Sequence, residues 1–166
     1  MKNNRNRALL IALGICILLT GIYTHSLSKP ALAPDVSFKT ISNKTIRLKD
    51  LQTKVVLITF WASNCASCIK EIPFFKSLYQ DYHQQGLEII AIAMFYDRPN
   101  YVVTTVKNHQ IPYDIVLDLD ISLAKAFGDI SLTPTTLLLN PQGEIIYRAT
   151  GLLDLIKMQK RIAEQL

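Results

Sequence analysis

Cys65 and Cys68 stand three apart in the stretch TFWASNCASCIKEIP, directly after an apolar run. Sulfur at this spacing serves three chemistries: a reversible dithiol–disulfide couple, half of a metal site, or a structural cross-link. A structural zinc site needs a second ligand pair, and the remaining cysteine, Cys16, lies in an apolar leading segment. His25, His83 and His109 are scattered along the chain, so no metal site is expected. A bridge closing so small a loop constrains the unfolded chain little, which weighs against a purely structural role. The pattern points instead to redox chemistry. A helix starting at the pair sets both cysteines on one face, with Cα atoms ~5–6 Å apart, within disulfide reach. The first cysteine then meets free backbone N–H groups and the helix dipole, which favour thiolate at neutral pH. The second, one turn in, is the shielded partner that resolves a mixed disulfide.

The elements that must hold this pair are legible in the surrounding pattern. Val55 to Ala62, VVLITFWA, is a continuous apolar run and reads as a buried central strand. From Cys65 to about Gln84, Ile69, Ile72, Phe75, Leu78 and Tyr82 recur at helical spacing, with Pro73 expected to kink the helix. LEIIAIAMF reads as a second buried strand, PNYVVTTVKNHQ as a helix, and YDIVLD as a short strand or extended piece. DISLAKAFG is a short helix stopped by Gly128, and TPTTLLLNPQGEIIYRATG a strand hairpin. Asp154 can cap a last helix carrying Leu155, Met158 and Ile162. VSFKT and TIRL look like a small entry hairpin. The alternation argues for an α/β layer fold around a central mixed β-sheet flanked by helices.

Charge excludes one large class of partner. The net charge is +5, but Lys2, Arg5, Arg7 and Lys29 lie ahead of Pro30. From Pro30 onward 14 basic residues face 13 acidic ones, so there is no basic stripe and nucleic-acid binding is not expected. The opening residues place a basic patch before an apolar run from Ala8 to about Tyr23, roughly 16 residues against the ~20 of a usual span. Ala31-Leu32-Ala33 fits a cleavage site, giving a cleaved secreted form, but Pro34 follows it, so an uncleaved signal anchor is favoured. The organisation expected is an anchor over residues 1–27, a linker over 28–35 and a globular domain over 36–166. The basic end stays cytoplasmic, which makes the protein single-pass with its domain on the outer side.

The motifs FWASNCASC, KEIP, TPTT and NPQGEI together resemble the membrane-anchored thioredoxin-like proteins of the TlpA/ResA type, over about Pro34 to Leu166. The resemblance implies a thioredoxin-like fold and a protein-disulfide reductase working outside the cytoplasm. It implies Cys65 as the attacking thiol, Cys68 as the resolving one, and Pro134 as a cis-proline facing them, after Thr133. Glu71 matches a glutamate that such proteins keep near the cysteines; its plainer reading is a carboxylate favouring an early helical turn. Trp61 is expected to be partly core and partly a wall of the site. Two departures stand out: Asn64 replaces the usual tryptophan before the first cysteine, and Thr59 stands where thioredoxins bury an aspartate. Asn64 therefore alters the rim that meets substrate. The implied clients are disulfide-bearing proteins, apocytochrome c among them, lying extended along the Thr133–Pro134 edge. The implied reductant is a membrane thiol transporter of the DsbD/CcdA type. No cofactor is expected beyond the redox-active Cys65–Cys68 disulfide. Alternatives are a thiol oxidase, a peroxidase-like protein, although no proline precedes Cys65 in its strand, and a copper or other metal chaperone.

Overall fold

The computed structural model describes residues 14–16 and 30–166. Residues 14–16 are helical and exposed. The rest of the expected anchor lies outside the described residues, and among those described no helix is long and apolar enough to cross a membrane.

Strands β4 (Val55–Trp61) and β5 (Leu87–Ala93) run parallel at the centre of the main sheet. Every residue of β4 is buried, as a strand covered on both faces requires. Its side chains alternate between two core layers: Val55, Leu57 and Trp61 enter one, Val56, Ile58 and Phe60 the other. β6 (Asp114–Leu117) continues the sheet parallel to β5. On the other side β7 (Thr135–Leu139) pairs antiparallel with β4, and β8 (Glu144–Thr150) with β7. β1 (Ala31–Leu32) closes the far edge on β8. The order is β1-β8-β7-β4-β5-β6, a mixed sheet as expected. The entry hairpin is β2 (Ser37–Lys39) with β3 (Thr45–Arg47), bridged to the sheet by Thr40 and Val116.

Helix α1 (Ala66–Tyr82) packs on one face of the sheet through Phe75 and Leu78. α2 (Pro99–His109) adds Val102 to that layer, and α4 (Leu155–Ala163) adds Met158 and Ile162. The short α3 (Ser122–Ala126) and the hairpin cover the other face with Leu123, Phe38 and Ile46. The buried Asp118 carboxylate holds α3 by accepting from the N–H groups of Leu123 (3.0 Å) and Ala124 (2.8 Å).

Three boundaries differ from the sequence reading. α1 ends at Tyr82 and passes into a 3₁₀ turn at His83–Gln85, closed by Gly86 at φ 112°. That left-handed backbone favours glycine. Pro73 lies inside α1, where the sequence placed it, and is exposed. Met94 and Phe95, expected in the strand, belong to a turn after β5. Ala31–Leu32, in the stretch read as a linker, pair with Ile145 and Glu144 of β8. Two residues of edge strand carry too little alternation to be seen in sequence.

Candidate active site

Cys65 sits in extended backbone (φ −87°, ψ 103°) as the N-cap of α1. Its Sγ accepts a hydrogen bond from the Cys68 N–H at 3.2 Å, one of the donors a helix start leaves without a backbone partner. The two sulfurs form a disulfide with Cα atoms 5.2 Å apart, inside the expected range. Cys65 is half-buried and Cys68 only 4% exposed, the asymmetry expected of a helix start and the turn behind it. Ser67 Oγ lies 3.6 Å from the Cys65 sulfur.

One turn beyond Cys68, Glu71 is buried, with 1% exposure. Its Oε1 accepts from the Leu153 N–H at 2.8 Å. Glu71 lies past the first turn of α1, which holds no acid, and its side chain is buried. Glu71 lines a small cavity with Cys68, Thr59, Trp61, Phe75 and Tyr113. Glu71 Oε2 and Trp61 Nε1 are both buried without a hydrogen-bond partner among the described residues. Burial raises the Glu71 pKa, and the Leu153 hydrogen bond offsets this only in part. Burial likewise pushes the Tyr113 phenol up, with a smaller contribution from the Glu71 charge. Thr59 accepts a hydrogen bond from Thr136 Oγ1 at 3.2 Å, so a neutral hydroxyl pair crosses β4 and β7 beside the cavity.

The rim is assembled from three loops at one end of β4. Asn64 is exposed beside Cys65. Trp61, 4% exposed, lines the cavity behind the pair and does not reach the outer rim. Thr133 is half-buried, and the Thr133–Pro134 bond is cis. The pairing of Phe60 with Thr135 sets that bond at the same end of the sheet as Trp61. Gly151 N–H donates to the Pro134 carbonyl at 2.8 Å. Sequence reasoning missed the third loop. Asp97, 8% exposed, accepts from the Ser63 N–H (Oδ2, 2.5 Å) and from Ser63 Oγ (Oδ1, 2.7 Å). The adjacent Tyr96 hydroxyl lies 3.3 Å from Thr133 Oγ1. These residues are more than thirty positions apart, so no local pattern signals them.

Among the described residues no three His, Cys, Asp or Glu side chains are grouped to hold a metal ion. His83 stacks on Tyr79 and bonds the Leu87 carbonyl, and Lys76 donates to the backbone carbonyl of His109.

A half-exposed sulfur at a helix start, bonded to a buried one behind it, is the working part of a thioredoxin-like thiol–disulfide oxidoreductase, and this protein is of that class. The chain belongs to the AhpC/TSA family, whose sequence profile matches residues 31–148. Its relatives include the thiol-disulfide oxidoreductase ResA of Bacillus subtilis, 33% identical over 143 residues, covering 82% of this chain and 79% of that protein. ResA of Bacillus cereus is 31% identical over 163 residues, 91% of each chain. Among solved structures, StoA from Bacillus subtilis superposes with a TM-score of 0.66 at 26% identity, covering 80% of this chain and 97% of that one. A Neisseria meningitidis protein assigned to the thioredoxins gives 0.76 at 31% identity, covering 82% and 91%.

Proposed function

We propose that this oxidoreductase works as a reductant of client-protein disulfides outside the cytoplasm, tethered by its leading segment. The observation that carries the reading is the contrast within the pair: Cys65 capped by a backbone N–H and reachable, Cys68 buried beside the buried Glu71. In the reduced protein the Cys65 thiolate attacks one sulfur of a client disulfide. The client S–S bond breaks, its second sulfur leaves as a thiolate and takes a proton from solvent, and a mixed disulfide remains. Cys68 then loses its proton to Glu71 and attacks the Cys65 sulfur. The first client sulfur is released as a thiolate and protonated. Two electrons have passed to the client, and the Cys65–Cys68 disulfide is formed.

The client lies extended against Thr133 and Pro134, with Asn64 at its flank. Apocytochrome c before haem attachment is the client that the resemblance to ResA supports. A DsbD/CcdA-type membrane thiol transporter returns the two electrons. The pair itself is the redox group, with no metal or further cofactor. The basic patch and apolar run ahead of Lys29 support the tether and the outward-facing domain. The test is trapping: a Cys68→Ala variant expressed in its own cell should accumulate mixed disulfides through Cys65. Absence of such adducts, with the variant folded, contradicts the reading.

A further inference from the structure

We infer that the turn Met94–Asp97 is a recognition element, in which Phe95 and Tyr96 form an aromatic wall beside the cysteine pair. The wall selects an uncharged, extended client segment that carries an apolar side chain next to its cysteine. The inference rests on the client-reductase reading above. Asp97 N–H donates to the Met94 carbonyl at 2.9 Å, which puts Phe95 and Tyr96 at the two central positions of the turn. Such positions ordinarily take glycine, proline or small polar residues, for backbone and hydrogen-bonding reasons. Here two aromatic rings stand out of the turn, 45% and 48% exposed. They meet edge to face with centroids 5.3 Å apart, so each restrains the other.

The wall is also fixed to the reacting site. The buried Asp97 carboxylate grips the N–H and hydroxyl of Ser63, two residues before Cys65. Tyr96 reaches Thr133 across the rim, and the 65% exposed Leu132 adjoins it. A client disulfide that reaches Cys65 therefore brings its flanking residues against these rings. The two loops on either side of the cysteine pair offer them no ionic partner. Residues 62–69 and 130–136 contain no charged side chain, and the Asp97 charge is turned inward. The Arg98 guanidinium, next to the turn, is engaged over the Tyr101 ring, 5.6 Å from its centroid. An apolar client side chain gains by covering the rings, while a charged one loses water without compensation.

The test uses the full chain in detergent, reduced, with two peptide disulfides that differ only in carrying Phe or Asp beside cysteine. Hydroxyethyl disulfide is the small neutral control. Wild type should react about tenfold faster with the Phe peptide. The double variant Phe95→Ser/Tyr96→Ser should bring that ratio below about twofold, by slowing the Phe peptide far more than hydroxyethyl disulfide. Leu132→Ser should lower the ratio by a smaller factor. Three results overturn the inference: no preference in wild type, a preference retained by the double variant, or equal slowing on all three disulfides. Wild type that reduces hydroxyethyl disulfide but neither peptide overturns the client-reductase reading as well.

Discussion

Glu71 and Leu153 are 82 positions apart, yet the Glu71 carboxylate accepts the Leu153 N–H at 2.8 Å in the buried layer behind the disulfide. This bond ties α1 to the segment leading into α4, and leaves the second carboxylate oxygen buried without a hydrogen-bond partner among the described residues, on a side chain that lines the same cavity as Cys68.

Glu71→Gln removes the charge and keeps the shape. A carboxylate near a thiol raises the thiol pKa by like-charge repulsion, so the variant should show a lower pKa for the reduced cysteine pair. It should also exchange disulfides more slowly, because Cys68 loses its proton acceptor. Stopped-flow rates across pH check both. An unchanged pH–rate profile would remove Glu71 from the reaction.

The same carboxyl predicts a sign for stability against pH. Its folded pKa is raised above the unfolded value, so the native state holds the proton more tightly. Its contribution is fully present below the unfolded value, about 4.3, and is lost as pH rises through the raised folded value. Urea midpoints of wild type minus Glu71→Gln should fall with rising pH over that window and level off above it. A difference that rises with pH would contradict the burial of this group.

Reduced protein should alkylate first at Cys65. The half-exposed sulfur at the helix cap is open to iodoacetamide, and the 4% exposed Cys68 is covered. Peptide mapping after brief labelling checks this, and preferential labelling of Cys68 would reverse the roles.

Asp97→Ala leaves the Ser63 N–H and hydroxyl without their acceptor beside the cysteine loop. The expected cost is about 1–3 kcal/mol, read from chemical denaturation. Asp97→Asn, which keeps one acceptor oxygen, should cost less. Equal stability of Asp97→Ala and wild type would show that this clamp contributes nothing.

The cysteine pair, its helix and the two buried central strands could be read from sequence because each is a local pattern. The Cys-x-x-Cys spacing, the helical recurrence of Phe75 and Leu78 and the unbroken apolar run of β4 all lie within a few turns of chain. Thr133–Pro134 was found through its resemblance to a known motif. The inward turn of Glu71 was not legible, since its partner is a backbone N–H far along the chain. The Asp97–Ser63 clamp escaped for the same reason: Asp97 ahead of Arg98-Pro99 resembles an ordinary helix entry. Phe95 was absorbed into an apolar strand pattern, because hydrophobicity alone does not mark where β5 stops, and Tyr96 fell between the elements.

The reductase assignment is tested most directly by the midpoint potential of the Cys65–Cys68 couple, measured on the full chain equilibrated with glutathione and dithiothreitol buffers. A buried carboxylate beside Cys68 opposes thiolate formation and so favours the disulfide. The predicted potential lies nearer that of thioredoxin, about −270 mV, than that of DsbA, about −120 mV. A value above about −150 mV would contradict the account and make the protein an oxidant.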